Sequence, residues 1–111
     1  MPVDSQANSA AAQRFLAGEP GSGRSLRSEV SGGRLTLFSY KEPIAIRESG
    51  RSLLVELEWK YSRTTNRHRK LLLGLAEEAS FSVREITREE IRALAGMDPH
   101  ESPRGLPTYP T

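Results

Sequence analysis

Residues 52–60 read SLLVELEWK, and apolar and polar side chains alternate along this stretch. Leu53, Val55, Leu57 and Trp59 fall on one face, because successive side chains of an extended chain point to opposite sides. The other face carries one leucine and three charged residues. The alternation therefore predicts a β-strand with one buried face.

Two shorter apolar runs precede this strand. Residues 34–40 (RLTLFSY) and 43–47 (PIAIR) each alternate well enough for a strand, and Pro43 is tolerated at a strand's first position. The segment 48–51 contains Gly50, a residue type that supplies the positive φ of a tight turn. Because short connections join the three runs, they predict an antiparallel meander.

A helix is expected after the third strand. Residues 66–79 are rich in helix formers, and Thr64 or Thr65 is a suitable N-cap. Positions three and four apart form an apolar stripe that contains His68, Leu71, Leu72, Leu75, Ala76 and Ala79. The stripe predicts that this helix covers the apolar face of the sheet.

The sequence after this helix is less regular. Residues 81–86 leave two interpretations open, a fourth strand or a linker. Thr87 and Glu90 have the spacing of a capping box, in which each side chain accepts a hydrogen bond from the other residue's backbone N–H. They predict a short second helix that Gly96 ends.

These elements predict an α+β domain over residues 34–96. Its small antiparallel sheet has three to four strands and packs against one main helix, and a short C-terminal helix follows. Residues 1–33, rich in Ser, Gly, Ala and Gln, predict a flexible N-terminal arm with Phe15 and Leu16 as the only anchors of a marginal helix. The four prolines of residues 97–111 predict a flexible C-terminal tail. A core of about 60 residues is marginal, and a homodimer is one way to complete it.

Composition excludes several classes of function. The chain has 111 residues and no cysteine, which excludes disulfide scaffolds, thiolate metal sites and cysteine nucleophiles. Its two histidines, His68 and His100, form no metal-ligand pattern, so neither a metal nor another cofactor is expected. No glycine-rich phosphate loop or Ser-His-Asp spacing occurs, which favours a non-enzymatic role. Without an apolar run of about 20 residues, the chain is expected to be soluble and cytoplasmic, with no membrane partner.

Residues 60–70 (KYSRTTNRHRK) contain five basic residues and no acid. They lie where the third strand leads into the helix, and a helix N-terminus favours anions through its unpaired N–H groups and its dipole. The expected function is binding of nucleic-acid phosphates, with Tyr61 or His68 available to stack on bases. The candidate binding residues are Lys60, Tyr61, Arg63, Thr64, Thr65, Arg67, His68, Arg69 and Lys70.

Two other interpretations of this segment stay open. The basic residues can form a solvated face paired with nearby carboxylates such as Glu56 and Glu77, and His68 can be a buried structural histidine. Alternatively, the chain is a protein-binding module that uses its arms and the same basic residues, as a regulator of a host complex or as a minor virion component. The salt dependence of binding distinguishes the nucleic-acid and protein-binding interpretations. Phosphate binding weakens steeply as salt rises, whereas binding through apolar side chains does not.

Two motifs resemble a known group of sequences. Residues 39–45 (SYKEPIA) and 61–68 (YSRTTNRH) are similar to the patterns S-Y-x-x-P-I-A and Y-S-x-T-T-x-[RK]-H, which occur in small uncharacterised proteins of phages, plasmids and archaeal genomes. The chain differs from that group at Arg69, where glutamine is usual. The resemblance implies an accessory protein of a phage or mobile element, located in the host cytoplasm or associated with the virion. It implies no particular activity.

Overall fold

A computed structural model describes residues 3–57 and 62–100, which form three α-helices and six β-strands. The elements in chain order are α1 Val3–Leu16, β1 Gly21–Ser22, β2 Leu26–Ser31, β3 Arg34–Ser39, β4 Glu42–Glu48, β5 Ser52–Glu56, α2 Arg63–Glu78, β6 Ser82–Ile86 and α3 Arg88–Leu94. All six strands form one sheet in sequence order. Neighbours from β1 to β5 are antiparallel, whereas β6 is parallel to β5 because α2 forms the crossover between them. None of the helices in the described ranges is long and apolar enough to span a membrane.

The predicted sheet of three to four antiparallel strands with one main helix is wrong, although the class is α+β. The sheet has six strands and is mixed, and three helices pack on it. The additional elements α1, β1 and β2 come from the segment that was predicted to be a flexible arm. Ala11, Ala12 and Phe15 of α1 are buried, and small alanines let a helix lie close to the sheet with few large apolar side chains.

The hairpin between β2 and β3 explains why β2 was not predicted. Ser31 pairs with Arg34, which leaves Gly32 and Gly33 as a two-residue connection. Both glycines have positive φ, at 64° and 80°, as the turns that suit the twist of a hairpin require. A pair of glycines that resembled a disordered linker is therefore a tight turn.

Several local predictions are confirmed. The strands β3, β4 and β5 form the expected meander, and Gly50 has a φ of 70° in its turn. The Thr87 capping box is present, since the Glu90 backbone N lies 3.1 Å from Thr87 Oγ1 and the Thr87 N lies 2.9 Å from Glu90 Oε1. Residues 82–86 form a strand, which decides between the two interpretations of that segment. Of the predicted C-terminal tail, residues 97–100 form neither helix nor strand, and the remainder lies outside the described residues.

The sheet is covered on both faces. One apolar cluster joins α1 and α2 to the sheet and includes Phe15, Leu53 and Val55. A second cluster joins α3 to the sheet and includes Leu54 and Ile91. The prediction of one buried face is therefore wrong for β5. Neighbouring side chains of β5 point in opposite directions and both sides are buried, which accounts for its Leu-Leu-Val run.

Candidate functional site

The start of α2 sets the position of the basic residues. Ser62 is its N-cap, with an extended backbone and a side-chain oxygen that accepts a hydrogen bond from the Thr65 backbone N at 3.2 Å. The helix therefore begins earlier than the predicted Thr64 or Thr65 cap. This start makes Thr65, His68, Arg69, Leu72 and Ala76 the buried residues of α2.

The structure separates the nine candidate residues into groups. Arg63, Arg67 and Lys70 are exposed, and Thr64 is half-buried. Thr65, His68 and Arg69 are buried, while Lys60 and Tyr61 lie outside the described residues.

Arg69 contributes no charge to the surface. Its Nη2 donates to Glu56 Oε1 at 2.5 Å and its Nη1 donates to the Leu57 carbonyl oxygen at 3.2 Å. The side chains of Arg69 and Glu56 are only 9% and 1% exposed. This buried pair attaches α2 to the end of β5. For Arg69 alone, the interpretation that the basic residues pair with nearby carboxylates is therefore confirmed.

The three exposed cations form what we call the basic face of α2, defined as Arg63, Arg67 and Lys70. They are spaced i, i+4 and i+7, so they lie on one side of the helix over roughly 10 Å of its axis. Within residues 3–57 and 62–100, no carboxylate forms an ion pair with any of them. Their positive charge is available to a partner.

A pocket of about 580 Å³ adjoins the basic face. Its lining comes from α1, from the β1–β2 and β3–β4 connections and from α2, and consists of Asn8, Arg24, Ser25, Tyr40, Thr64, Arg67, His68 and Leu71. Among the described residues, the lining contains two arginines and no carboxylate, and Arg67 forms no ion pair. The pocket is thus a concave site of the size that binds small ligands, and Arg67 gives it positive charge.

Asn8 fixes one wall of the pocket. Its Oδ1 accepts hydrogen bonds from the backbone N of Arg24, Ser25 and Leu26 at 2.9, 3.1 and 3.1 Å. Gly23 allows this approach, because a Cβ at that position would lie 2.5 Å from the same oxygen. One buried side chain of α1 therefore holds the β1–β2 connection in place.

His68 forms the floor of the pocket. Its Nε2 lies 3.4 Å from Asn8 Nδ2 and 3.2 Å from Ser25 Oγ, and its Nδ1 lies 2.7 Å from Ser39 Oγ. Because Asn8 Oδ1 accepts three N–H groups, the Asn8 Nδ2 is the donor and His68 Nε2 accepts from it. This pattern assigns the proton of the neutral ring to Nδ1, which donates to Ser39 Oγ, and a further hydrogen bond of 2.9 Å joins Ser39 Oγ to Thr65 Oγ1.

The environment keeps this histidine neutral at pH 7. Burial lowers the pKa of His68 below its ordinary value of 6.5, and the positive charge of Arg67 lowers it further. The pocket consequently has a neutral floor and a positive rim.

This lowered pKa makes stability depend on pH. Below about pH 6.5 the unfolded chain takes up a proton at His68 that the folded chain resists, so the free energy of unfolding falls as the pH drops through this window and levels off below the folded-state pKa. Urea unfolding of the protein and of His68→Gln at pH 7.5, 6.5 and 5.5 measures the effect. We expect the parent protein to lose more stability than the variant; equal losses would contradict the assignment.

Tyr40 lies at the mouth of the pocket. It is the first residue of the two-residue connection between β3 and β4, and its ring centroid is 6.1 Å from that of His68. Of the two aromatic residues at this end of β3, only Phe38 is buried. Phe38 lies beneath the Arg27 guanidinium at 4.4 Å, whereas Tyr40 is 53% exposed.

Sequence reasoning did not select five residues that line the pocket, Asn8, Arg24, Ser25, Tyr40 and Leu71. Leu71 was assigned only to the apolar stripe of the helix, and the first three lie in the segment predicted to be flexible, where no periodicity marks them. They reach the pocket because β2 pairs with β3, which brings residues 24–25 beside the Tyr40 turn, where the Tyr40 backbone N donates to the Ser25 carbonyl oxygen at 2.8 Å.

Comparison with known proteins gives one informative result. A model of a protein family of unknown function (DUF8033) matches residues 4–91, a range that contains every residue lining the pocket. No curated protein and no solved structure matches the chain.

Proposed function

The chain belongs to the DUF8033 family, a family of unknown function, and we propose that it binds nucleic-acid phosphates through the basic face of α2 and the adjoining pocket. The observation that supports this proposal is the arrangement of positive charge. Three exposed cations without a carboxylate partner in the described residues run beside a pocket that Arg67, one of the three, also lines, and no described residue of that lining is acidic.

The position of Arg63 is unfavourable for the folded chain by itself. Arg63 lies in the first turn of α2 and no acidic residue occupies that turn, so its charge opposes the positive end of the helix dipole. Phosphate oxygens bound at this end of the helix satisfy the cations and the dipole together. Phosphate binding would therefore offset the unfavourable interaction between Arg63 and the helix dipole.

The biological setting follows from the sequence resemblance alone. Within this proposal, the protein is an accessory factor of a phage or mobile element that acts in the host cytoplasm or with the virion. Such a factor requires no sequence preference, because contacts to phosphates are independent of the base sequence.

The double variant Arg63→Ala/Arg67→Ala tests the proposal. Each phosphate contact contributes about 0.7 to the slope of log affinity against log salt for a single strand, so losing two contacts should lower the slope by roughly 1.4. Fluorescence anisotropy with a labelled 20-nucleotide strand and a 20-base-pair duplex, between about 50 and 200 mM salt, measures this slope. Both side chains are exposed, so thermal stability should change little.

Arg34→Ala/Arg84→Ala is the matched control. Both of its arginines are exposed, neither lines the pocket, and the variant loses the same two charges. The proposal predicts a normal slope for this control. An equal loss in both variants would indicate a nonspecific effect of net charge. Absence of binding at the lowest salt concentration would reject nucleic acid as the partner and favour a protein.

A further inference from the structure

The backbone at Tyr40 is unusual for its residue type. Its φ is 56°, a left-handed conformation that disfavours residues with a Cβ and suits glycine or asparagine. Tyrosine at this turn therefore costs folding free energy that glycine would not.

The ring does not offset this cost by packing in the core. It is 53% exposed and belongs to neither apolar cluster. Its one ring contact is the tilted arrangement with His68, with an angle of 40° between the ring planes. A strained backbone combined with a half-exposed aromatic ring at a pocket mouth is typical of a position that serves binding.

The surroundings of the ring combine three kinds of contact. Leu71 offers an apolar wall, Thr64 and Ser25 offer hydroxyl groups, and Arg67 supplies positive charge. An aromatic platform beside a cationic groove is the arrangement that binds single-stranded nucleic acid, because any unpaired base can stack on a ring while its phosphates meet the cations. The bases of a duplex are stacked on one another and cannot enter such a pocket.

We propose that the pocket receives an unpaired base of a single-stranded nucleic acid, which stacks on Tyr40 while a neighbouring phosphate contacts Arg67. This inference rests on the proposed function and goes further by naming the form of nucleic acid. DNA and RNA share this chemistry, and a ribose 2′-hydroxyl within reach of Thr64 or Ser25 is what distinguishes them.

The variants Tyr40→Gly and Tyr40→Phe distinguish the contribution of the ring to binding from its contribution to stability. Glycine relieves the left-handed backbone, so Tyr40→Gly should unfold at the same or a higher temperature than the parent protein. Its affinity for a labelled 20-nucleotide strand should fall by roughly 5- to 100-fold, the range expected for loss of one stacked base. Tyr40→Phe keeps the ring and should bind normally.

The salt dependence provides a second readout. Tyr40 contacts no phosphate in this proposal, so Tyr40→Gly should keep the parent's salt slope, and its affinity for a 20-base-pair duplex should not change. Val30→Ala is the control for loss of an exposed apolar side chain, since Val30 is 67% exposed and does not line the pocket. It should bind as the parent protein does.

The outcomes distinguish this inference from the proposed function. If neither the strand nor the duplex binds, phosphate binding itself is rejected. If both bind equally and Tyr40→Gly has no effect on either, the base pocket is rejected while phosphate binding stands. Parallel titrations with DNA and RNA strands of the same sequence then identify the preferred sugar, and a Tyr40-dependent affinity for either one supports the inference.

Discussion

Replacing Asn8 by alanine is expected to lower the free energy of unfolding by about 3 kcal/mol, because the backbone N–H groups of Arg24, Ser25 and Leu26 lose their acceptor together. An unsatisfied buried donor costs about 1–3 kcal/mol, and only the Leu26 N is fully enclosed, so the three penalties do not add in full. For a domain of this size the loss corresponds to a melting temperature lower by roughly 10 °C or more. Thermal and urea unfolding followed by circular dichroism measure it.

Two companion variants isolate the cause. Asn66→Ala makes the same change at an exposed position of α2 and should alter stability by less than about 0.5 kcal/mol. Asn8→Asp keeps an acceptor for the three N–H groups but removes the Nδ2 donor to His68, so it should be less destabilising than Asn8→Ala. If Asn8→Ala is as stable as Asn66→Ala, the β1–β2 connection is held by other contacts.

Asn8 also shows why the N-terminal part of the fold was not predictable from periodicity. Periodic patterns record apolar side chains, and among the described residues α1 buries only two large ones, Phe15 and Leu16, beside small alanines and the polar Asn8. The Gly32–Gly33 turn has the composition of a linker, and only its pairing context makes it a hairpin. By contrast, the extended conformation of β5 and the Thr87 capping box show in neighbouring residues, and both are confirmed, whereas the burial of β5 on both faces depends on the helices that cover the sheet.

The candidate site was likewise predictable only in part. The run of charge at residues 60–70 was visible in the sequence, but which charges reach the surface depends on the helix start at Ser62. That start turns Arg69 inward, towards Glu56, a partner 13 residues away in the chain. Tyr40 belongs to the site through the sheet order, which places its turn beside α2.

Glu42 lies at the start of β4 and carries the second large prediction. Arg92 Nη1 donates to Glu42 Oε1 at 2.9 Å and to Oε2 at 3.0 Å, and Arg88 Nη2 lies 3.5 Å from Oε1. All three residues are buried, so one carboxylate serves two guanidinium groups of α3. This cluster attaches α3 to the β3–β4 hairpin, the same hairpin that presents Tyr40.

Glu42→Gln is expected to destabilise the protein by about 3–5 kcal/mol, because two buried guanidinium groups lose the carboxylate charge that they share. Glu29→Gln is the matched control, since Glu29 is exposed and its pair with Arg27 contributes little. The triple variant Glu42→Leu/Arg88→Met/Arg92→Met removes the charges together and should recover much of the lost stability. Urea unfolding at pH 7 compares the four proteins. Equal stability of Glu42→Gln and Glu29→Gln would mean that the carboxylate does not hold α3, whereas recovery in the triple variant would show that uncompensated charge, and not lost packing, causes the defect.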